Sequence, residues 1–189
     1  MRIAMWSGPR NLSTAMMYSF ASRSDVSVWD EPFYAAYLAR TGLDHPMRSE
    51  ILGKHEQDPQ RVAQQCQEKT SVATQHFYMK HMAHHMVEGF PLGWAEVCTN
   101  VYLIRHPARV SASYLRKREK PTFEDLGFEQ QREILERFPG PVIDSNDVLV
   151  KPEVALKGLC AEIGMPWDEA MLSWPAGGHD SDGVWSRHW

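Results

Sequence analysis

The chain has 189 residues, a formal net charge of −4, and a composition that is 43% hydrophobic and 23% charged. This fits one globular domain, residues 1–189, with a core of its own. The acidic balance excludes a protein that coats nucleic acid and leaves room for a local basic pocket, so the expected partner is a small molecule. Cys66, Cys98 and Cys160 are odd in number, far apart and without a C-x-x-C pair. Neither a disulfide framework nor a cysteine zinc site is indicated, and a reducing cytoplasm is the expected setting. No basic leader and no run of ~18 apolar residues is seen, which predicts neither secretion nor a membrane span. A homo-oligomer is allowed by the sequence, which does not decide it.

Ile3 to Trp6 is an apolar run that breaks at Ser7-Gly8-Pro9-Arg10-Asn11, after which Leu12 to Arg23 resumes with apolar residues at helical spacing. The pattern predicts strand, tight loop, helix. Such a loop turns its N–H groups and the first helical turn toward one small space, with the positive end of the helix dipole behind them, so an anion belongs there. Ser13 and Thr14 add hydroxyl donors, and Arg10 adds a planar charge suited to phosphate or sulfate oxygens. The ATP-type fingerprint G-x-x-x-x-G-K-[ST], counted from Gly8, needs its glycine, lysine and hydroxyl where Ser13, Thr14 and Ala15 stand, and it fails. The plain alternative is an ordinary strand-turn-helix with a Ser-Thr cap.

The surviving pattern, Pro9-Arg10-x-x-Ser13-Thr14, resembles the 5′-phosphosulfate loop of sulfotransferases that use 3′-phosphoadenosine 5′-phosphosulfate (PAPS). That loop commonly reads Pro-Lys/Arg-Ser-Gly-Thr-Thr, and Asn11-Leu12 replace its Ser-Gly. The resemblance implies that Gly8, Pro9, Arg10, Asn11, Leu12, Ser13 and Thr14 bind the sulfate-bearing end of the nucleotide.

Asp25 to Trp29 reads as a second strand, closed by Asp30-Glu31-Pro32 and followed by a helix over FYAAYLA with Pro32 at its first position. Two carboxylates thus stand at the carboxyl end of a strand, the edge where ligands bind in open α/β sheets. They are either caps of the next helix or, as the resemblance implies for Glu31, a general base facing the anion loop. Residues 41–57 read as a loop. Asp58-Pro59 opens a polar helix that covers the sheet.

Thr74 to Met82 reads as a third strand ending in Lys80-His81. His76, His81, His84 and His85 lack an H-E-x-x-H pattern and a completing carboxylate, so a metal is not expected. Sulfotransferases end a comparable strand in Lys-x-His, which implies that Lys80 steadies the leaving oxygen and makes His81, one residue out of register, a second candidate base. Phe90 to Val97 reads as a short helix.

Thr99 to Arg105 is a continuous apolar run suited to a parallel strand buried on both faces. A helix opening at Pro107 follows. Arg105, Pro107, Ser113 and Tyr114 match the sulfotransferase pattern Arg-Asx-Pro-x-x-x-x-x-Ser-Tyr, which implies that Arg105 and Ser113 bind the 3′-phosphate of PAPS. Eight residues are a little over two helical turns, so the serine can return to the arginine's side. Arg109 and Ser111 read as a solvated helix face. Residues 116–123 form a basic turn or lip, Glu124 to Phe138 a helix, Pro141 to Asp144 a last strand, and Pro152 to Ile163 a last helix. The segment 175–189, with Arg187 as its firm cation, is expected to cover the nucleotide.

The alternation of strands and helices predicts a three-layer α/β/α domain around a mostly parallel sheet of about five strands, P-loop NTPase-like in layout. The implied reaction is metal-free sulfuryl transfer from PAPS to a hydroxyl or amine. Glu31 or His81 takes the proton, and Arg10, Lys80 and the loop N–H groups stabilise the departing oxygen. A P-loop kinase is disfavoured by the failed fingerprint and by the lack of an evident magnesium-binding aspartate. A protein that binds adenosine phosphates without turnover remains the non-enzymatic alternative.

Overall fold

A computed structural model describes residues 1–68, 74–116 and 122–188. Most of the basic stretch 116–123, the side chain of Arg187, and Trp189 lie outside the described residues. Five strands, β1 (Arg2–Ser7), β2 (Val26–Asp30), β3 (His76–Met82), β4 (Thr99–Ile104) and β5 (Val142–Asp144), form one sheet in the order β2-β3-β1-β4-β5. Every neighbouring pair is parallel. All five carboxyl ends therefore share one edge. The loops after β1, β3 and β4 crowd there, because β1 lies between the other two.

Period-2 alternation divides the strand residues between two cores. Ile3, Met5 and Tyr78 pack with Met16, Met17 and Phe20 of α1 (Ser13–Ala21) and with Leu156, Leu159 and Cys160 near the C-terminal end. Ala4, Trp6, Phe77 and Met79 pack on the opposite face with Val62 and Cys66 of the polar helix, Trp94, Ile134 and Phe138. Each large side chain buried this way contributes about 1.5–3 kcal/mol relative to exposure. The three-layer arrangement follows directly, since a sheet apolar on both faces must be covered on both.

The helices in chain order after α1 are α2 (Tyr34–Thr41), α3 (Arg48–Lys54), α4 (Pro59–Glu68), α5 (Pro107–Arg116), α6 (Phe123–Leu126), α7 (Phe128–Arg137), α8 (Ser145–Val150) and α9 (Pro152–Glu162). Three boundaries differ from the sequence expectation. Residues 41–57 are not all loop, because α3 forms there and buries Ile51 against α2. The helix expected over Glu124 to Phe138 breaks at Gly127, whose φ of +68° ends α6; a Cβ at Gly127 would stand 3.0 Å from the His84 nitrogen. Pro32 lies in the turn ahead of α2 instead of at its first position, and Phe33 is the N-cap. The six-residue helix α8, which directly follows β5, carries too little periodicity to be read from sequence.

Candidate active site

The loop after β1 reaches α1 through two left-handed residues, Arg10 at φ 62° and Leu12 at φ 73°. A non-glycine residue in that region costs roughly 1–2 kcal/mol, so the rest of the structure must impose it. The imposing contacts are visible. Asn11 is buried and donates from Nδ2 to the Leu103 carbonyl at 3.2 Å. Arg105 donates from Nη1 to the Arg10 carbonyl at 2.6 Å. Gly8 runs beneath the α6 end so closely that a Cβ would stand 2.6 Å from the Leu126 carbonyl oxygen. Leu12 is the N-cap of α1 and supplies no capping side chain. Among the described residues the first-turn N–H groups of α1 therefore have neither an intrahelical acceptor nor a cap, which leaves a cluster of free donors at the positive helix end.

The two stretches singled out in the sequence meet. Arg10 donates from Nε to Ser113 Oγ at 3.0 Å, and Ser113, on α5, is 6% exposed. Arg10 thus links the loop to Arg105 and Ser113, and its guanidinium is turned toward α5. Ser13 is buried, with Oγ 4.0 Å from the Met82 sulfur, and Thr14 is exposed at the helix start.

On the same face of the sheet as α1, the carboxyl ends of β2 and β3 bring three charges together. Asp30 and Lys80 are direct partners in the strand register. Lys80 Nζ lies 2.6 Å from Asp30 Oδ1 and 2.9 Å from Glu31 Oε1, with all three side chains nearly buried. Consecutive strand residues normally point to opposite faces. Glu31 escapes that alternation because its backbone turns to φ 43°, which places its carboxylate beside that of Asp30. Neither carboxylate caps α2, whose N-cap has no side-chain bond. Burial raises the Glu31 carboxyl above its usual range; Lys80 opposes the rise and Asp30 adds to it. Desolvation works against the charge on Lys80, but Glu31 and Asp30 outweigh it and hold the ammonium above the ordinary lysine value.

His81 is not part of this group. As the next residue of β3 it faces the other side of the sheet, stacked on Trp6 and Trp94 with centroids 4.6 Å away in each case. It is 2% exposed, and burial pushes its pKa down to about 3. The position on Lys80's face, two residues along, is Met82, whose sulfur lies 3.6 Å from Ser7 Oγ.

Several contributors escaped the sequence reading. Gln131 on α7 donates from Nε2 to the carbonyls of Trp6 and Leu103 at 3.1 Å each, tying the ends of β1 and β4 beneath the loop. Its place three residues before buried Ile134, on an otherwise charged helix, was the available signal. The tail comes back to the site as well. Tyr18 donates to Asp182 Oδ2 at 2.8 Å, the Gly183 N–H donates to Asp30 Oδ2 at 3.2 Å, and Trp185 packs edge-on to Tyr34. Among the described residues no group of three or more His, Cys, Asp or Glu side chains is placed to hold a metal ion, and no helix is long and apolar enough to cross a membrane.

A sequence family described as "Sulfotransferase domain" matches residues 1–189. Two Arabidopsis thaliana proteins, "Branched-chain-amino-acid aminotransferase-like protein 1" and "protein 2", are 36% and 34% identical to the chain over 192 residues. Each alignment covers 99% of this chain and 34% of the plant protein, so the chain spans about a third of the length of the curated relatives it matches. Among solved structures, the sulfotransferase domain from the curacin biosynthetic pathway superposes with a TM-score of 0.62 at 19% identity, covering 96% of this chain and 80% of that one. The sulfotransferase domain from the Synechococcus PCC 7002 olefin synthase gives 0.60 at 16% identity, covering 97% and 80%. Shikimate kinase from Aquifex aeolicus gives 0.51 at 16% identity, covering 87% and 96%. At these identities the superpositions establish a shared fold, common to sulfotransferase domains and a P-loop kinase.

Proposed function

The chain belongs to the sulfotransferase family, and we propose that it transfers a sulfuryl group from PAPS to a hydroxyl or amine of a small acceptor. The observation that carries this reading is the convergence of the β1 loop with Arg105 and Ser113 through Arg10. The residues present fit the nucleotide. Uncapped N–H groups at the start of α1, with the hydroxyls of Ser13 and Thr14, suit the 5′-phosphosulfate. Arg105 with Ser113, at the end of β4 and on α5, suits the 3′-phosphate, and Arg10 between them serves either end.

In the proposed reaction the acceptor oxygen or nitrogen bonds to sulfur as the bond from sulfur to the phosphate oxygen breaks, and adenosine 3′,5′-bisphosphate leaves. Glu31 takes the acceptor's proton on the carboxylate oxygen that Lys80 does not hold. Lys80 has three N–H donors and two carboxylate partners, so one donor is left for the oxygen on which charge develops. The geometry favours Glu31 over His81 as the base. His81 faces away from Lys80 and is held neutral in an aromatic stack, and Met82 stands where the family's Lys-x-His pattern places its histidine. A kinase reading finds no support in the loop, which lacks the Gly-Lys-Ser/Thr of an ATP site. The plant proteins' aminotransferase-like names belong to chains of which this one matches a third.

The test is thermal denaturation of the full chain with adenosine 3′,5′-bisphosphate, AMP and ATP. The bisphosphate at 100 times its dissociation constant should add about 2.7 kcal/mol, and AMP at equal concentration far less, since it lacks the 3′-phosphate. Equal stabilisation by the two would remove the 3′-phosphate assignment, and a preference for ATP would favour the kinase.

A further inference from the structure

Asp30 was open to reading as a helix cap, and the structure gives it no such role. Each carboxylate oxygen faces a partner: Oδ1 is ion-paired with Lys80 Nζ at 2.6 Å, a charge contact without hydrogen-bond geometry, and Oδ2 accepts the Gly183 N–H at 3.2 Å. Among the described residues Glu31 is held through one oxygen, at the longer distance of 2.9 Å, and its side chain is the more exposed of the two at 11% against 4%. One ammonium thus faces two carboxylates that are chemically alike but differently anchored.

We propose that Asp30 is a positioning residue that serves as the permanent counter-ion of Lys80 and so leaves Glu31 free to accept a proton. The proposal deepens the assignment of Glu31 as general base and rests on it. Two carboxylates against one ammonium leave an excess negative charge in a nearly water-free place, where one proton is favoured on whichever carboxylate is less tied. Asp30 would have to surrender the ion pair, or the bond to the tail, to accept it. Glu31 need surrender nothing, because its second oxygen is open. The strained backbone at Glu31, φ 43°, is what makes the sharing possible, since an extended residue would aim its side chain at the opposite face.

The other titratable groups around the cluster do not change this balance near neutral pH. Tyr34 on α2 and Tyr78 on β3 are pushed up by burial. Tyr18 on α1 is raised to about 12 by burial and its bond to Asp182. His85 and His55 are pushed down by burial and stay neutral. Asp182 on the tail is the remaining charge close by, and it is engaged by the Tyr18 hydroxyl and the His179 N–H.

The experiment is a carbon-13 titration of the full chain labelled at the Asp and Glu carboxyls, with Glu31→Gln and Asp30→Asn identifying the two signals. In the unmodified protein Glu31 should be the first of the two to take up a proton as pH falls. In Asp30→Asn, Lys80 has Glu31 as its one remaining carboxylate, and the Glu31 midpoint should fall by about one pH unit, a tenfold loss of proton affinity. Asp30→Glu, which keeps the charge, should restore it. Protonation of Asp30 before Glu31 overturns the proposal, and so does an unchanged Glu31 midpoint in folded Asp30→Asn. The order of titration is read on the unmodified protein, where each carboxyl signal is also assigned through its own backbone resonances, so a variant that does not fold leaves the test intact. The titration itself needs no acceptor; only the turnover of Glu31→Gln does. If the order holds while Glu31→Gln turns over normally, the base assignment fails and the role of Asp30 as counter-ion stands.

Discussion

Arg10 Nε donates to Ser113 Oγ at 3.0 Å across 103 positions of sequence. This bond joins the loop after the central strand to the helix after its neighbour, so the two halves of the proposed nucleotide site form one unit. Arg105 completes the unit by holding the Arg10 carbonyl at 2.6 Å.

Arg105→Ala removes both the proposed phosphate donor and the restraint on the Arg10 carbonyl. We expect nucleotide affinity to fall by roughly 1.5–3 kcal/mol, the range for a hydrogen bond to a charged group. Arg105→Lys keeps the charge without the planar fork and should recover part of the loss. Calorimetric titration with adenosine 3′,5′-bisphosphate reads both values, and an unchanged affinity in folded Arg105→Ala would place the 3′-phosphate elsewhere.

Leu12 occupies the left-handed region at φ 73°, where the related loops commonly carry glycine. Leu12→Gly relieves roughly 1–2 kcal/mol of backbone strain and gives back up to about 1 kcal/mol through the freer unfolded chain. Its stability should therefore stay within about 1 kcal/mol of the parent, by that same balance. Leu12→Val puts a β-branched side chain at a positive φ and should be clearly less stable than Leu12→Gly. Urea denaturation of the two variants decides it; equal stability would mean that the loop does not hold this conformation in solution.

The five strands and the two loop patterns were legible because each strand is an apolar run closed by loop residues, and because the spacing of Arg105 and Ser113 is a property of one helix. What was hidden depended on contacts remote in sequence. Nothing local distinguishes Asp30 from a helix cap, since its partners Lys80 and Gly183 lie 50 and 153 positions away. The facing of Lys80 and His81 was in principle readable, because adjacent residues of one strand cannot both reach one face. Only the αL turn at Glu31 breaks that rule, and a glutamate before proline gives no warning of it. The helix α3 was missed because seven residues carry too little periodicity to stand out among turn formers.

Acid should destabilise the fold through its buried histidines. His81 and His85 are buried and neutral, with burial holding His81 at about 3 and His85 well below its usual value. In the unfolded chain a histidine titrates near ~6.5. Above that pH neither state is protonated and the full contribution is present. Below it the unfolded chain binds protons that the folded protein refuses, so stability is lost as pH falls toward the folded values, by up to about 1.4 kcal/mol per pH unit for each histidine. Denaturant midpoints at pH 7, 6 and 5 should fall accordingly. His81→Phe, which keeps an aromatic ring between Trp6 and Trp94, should flatten the slope by one histidine's share. A slope unchanged in that variant would mean that His81 is exposed to solvent.

The same His81→Phe variant separates the two candidate bases. Glu31 lies beside Lys80 at 2.9 Å on the face that carries α1, while His81 sits in the aromatic stack on the other face. A general base acts in the transition state and does little for nucleotide binding, so its loss should lower kcat by ~10²–10⁴-fold with affinity for adenosine 3′,5′-bisphosphate nearly unchanged. We expect that pattern for Glu31→Gln. His81→Phe should keep kcat within a few-fold of the parent, since it alters only the aromatic stack on the face of the sheet opposite Lys80 and Glu31. Single-turnover rates with a competent acceptor, measured beside calorimetric affinities, resolve the pair. Normal turnover in Glu31→Gln together with a large loss in well-folded His81→Phe would require the β3 histidine to reach the site from the opposite face and would overturn the assignment.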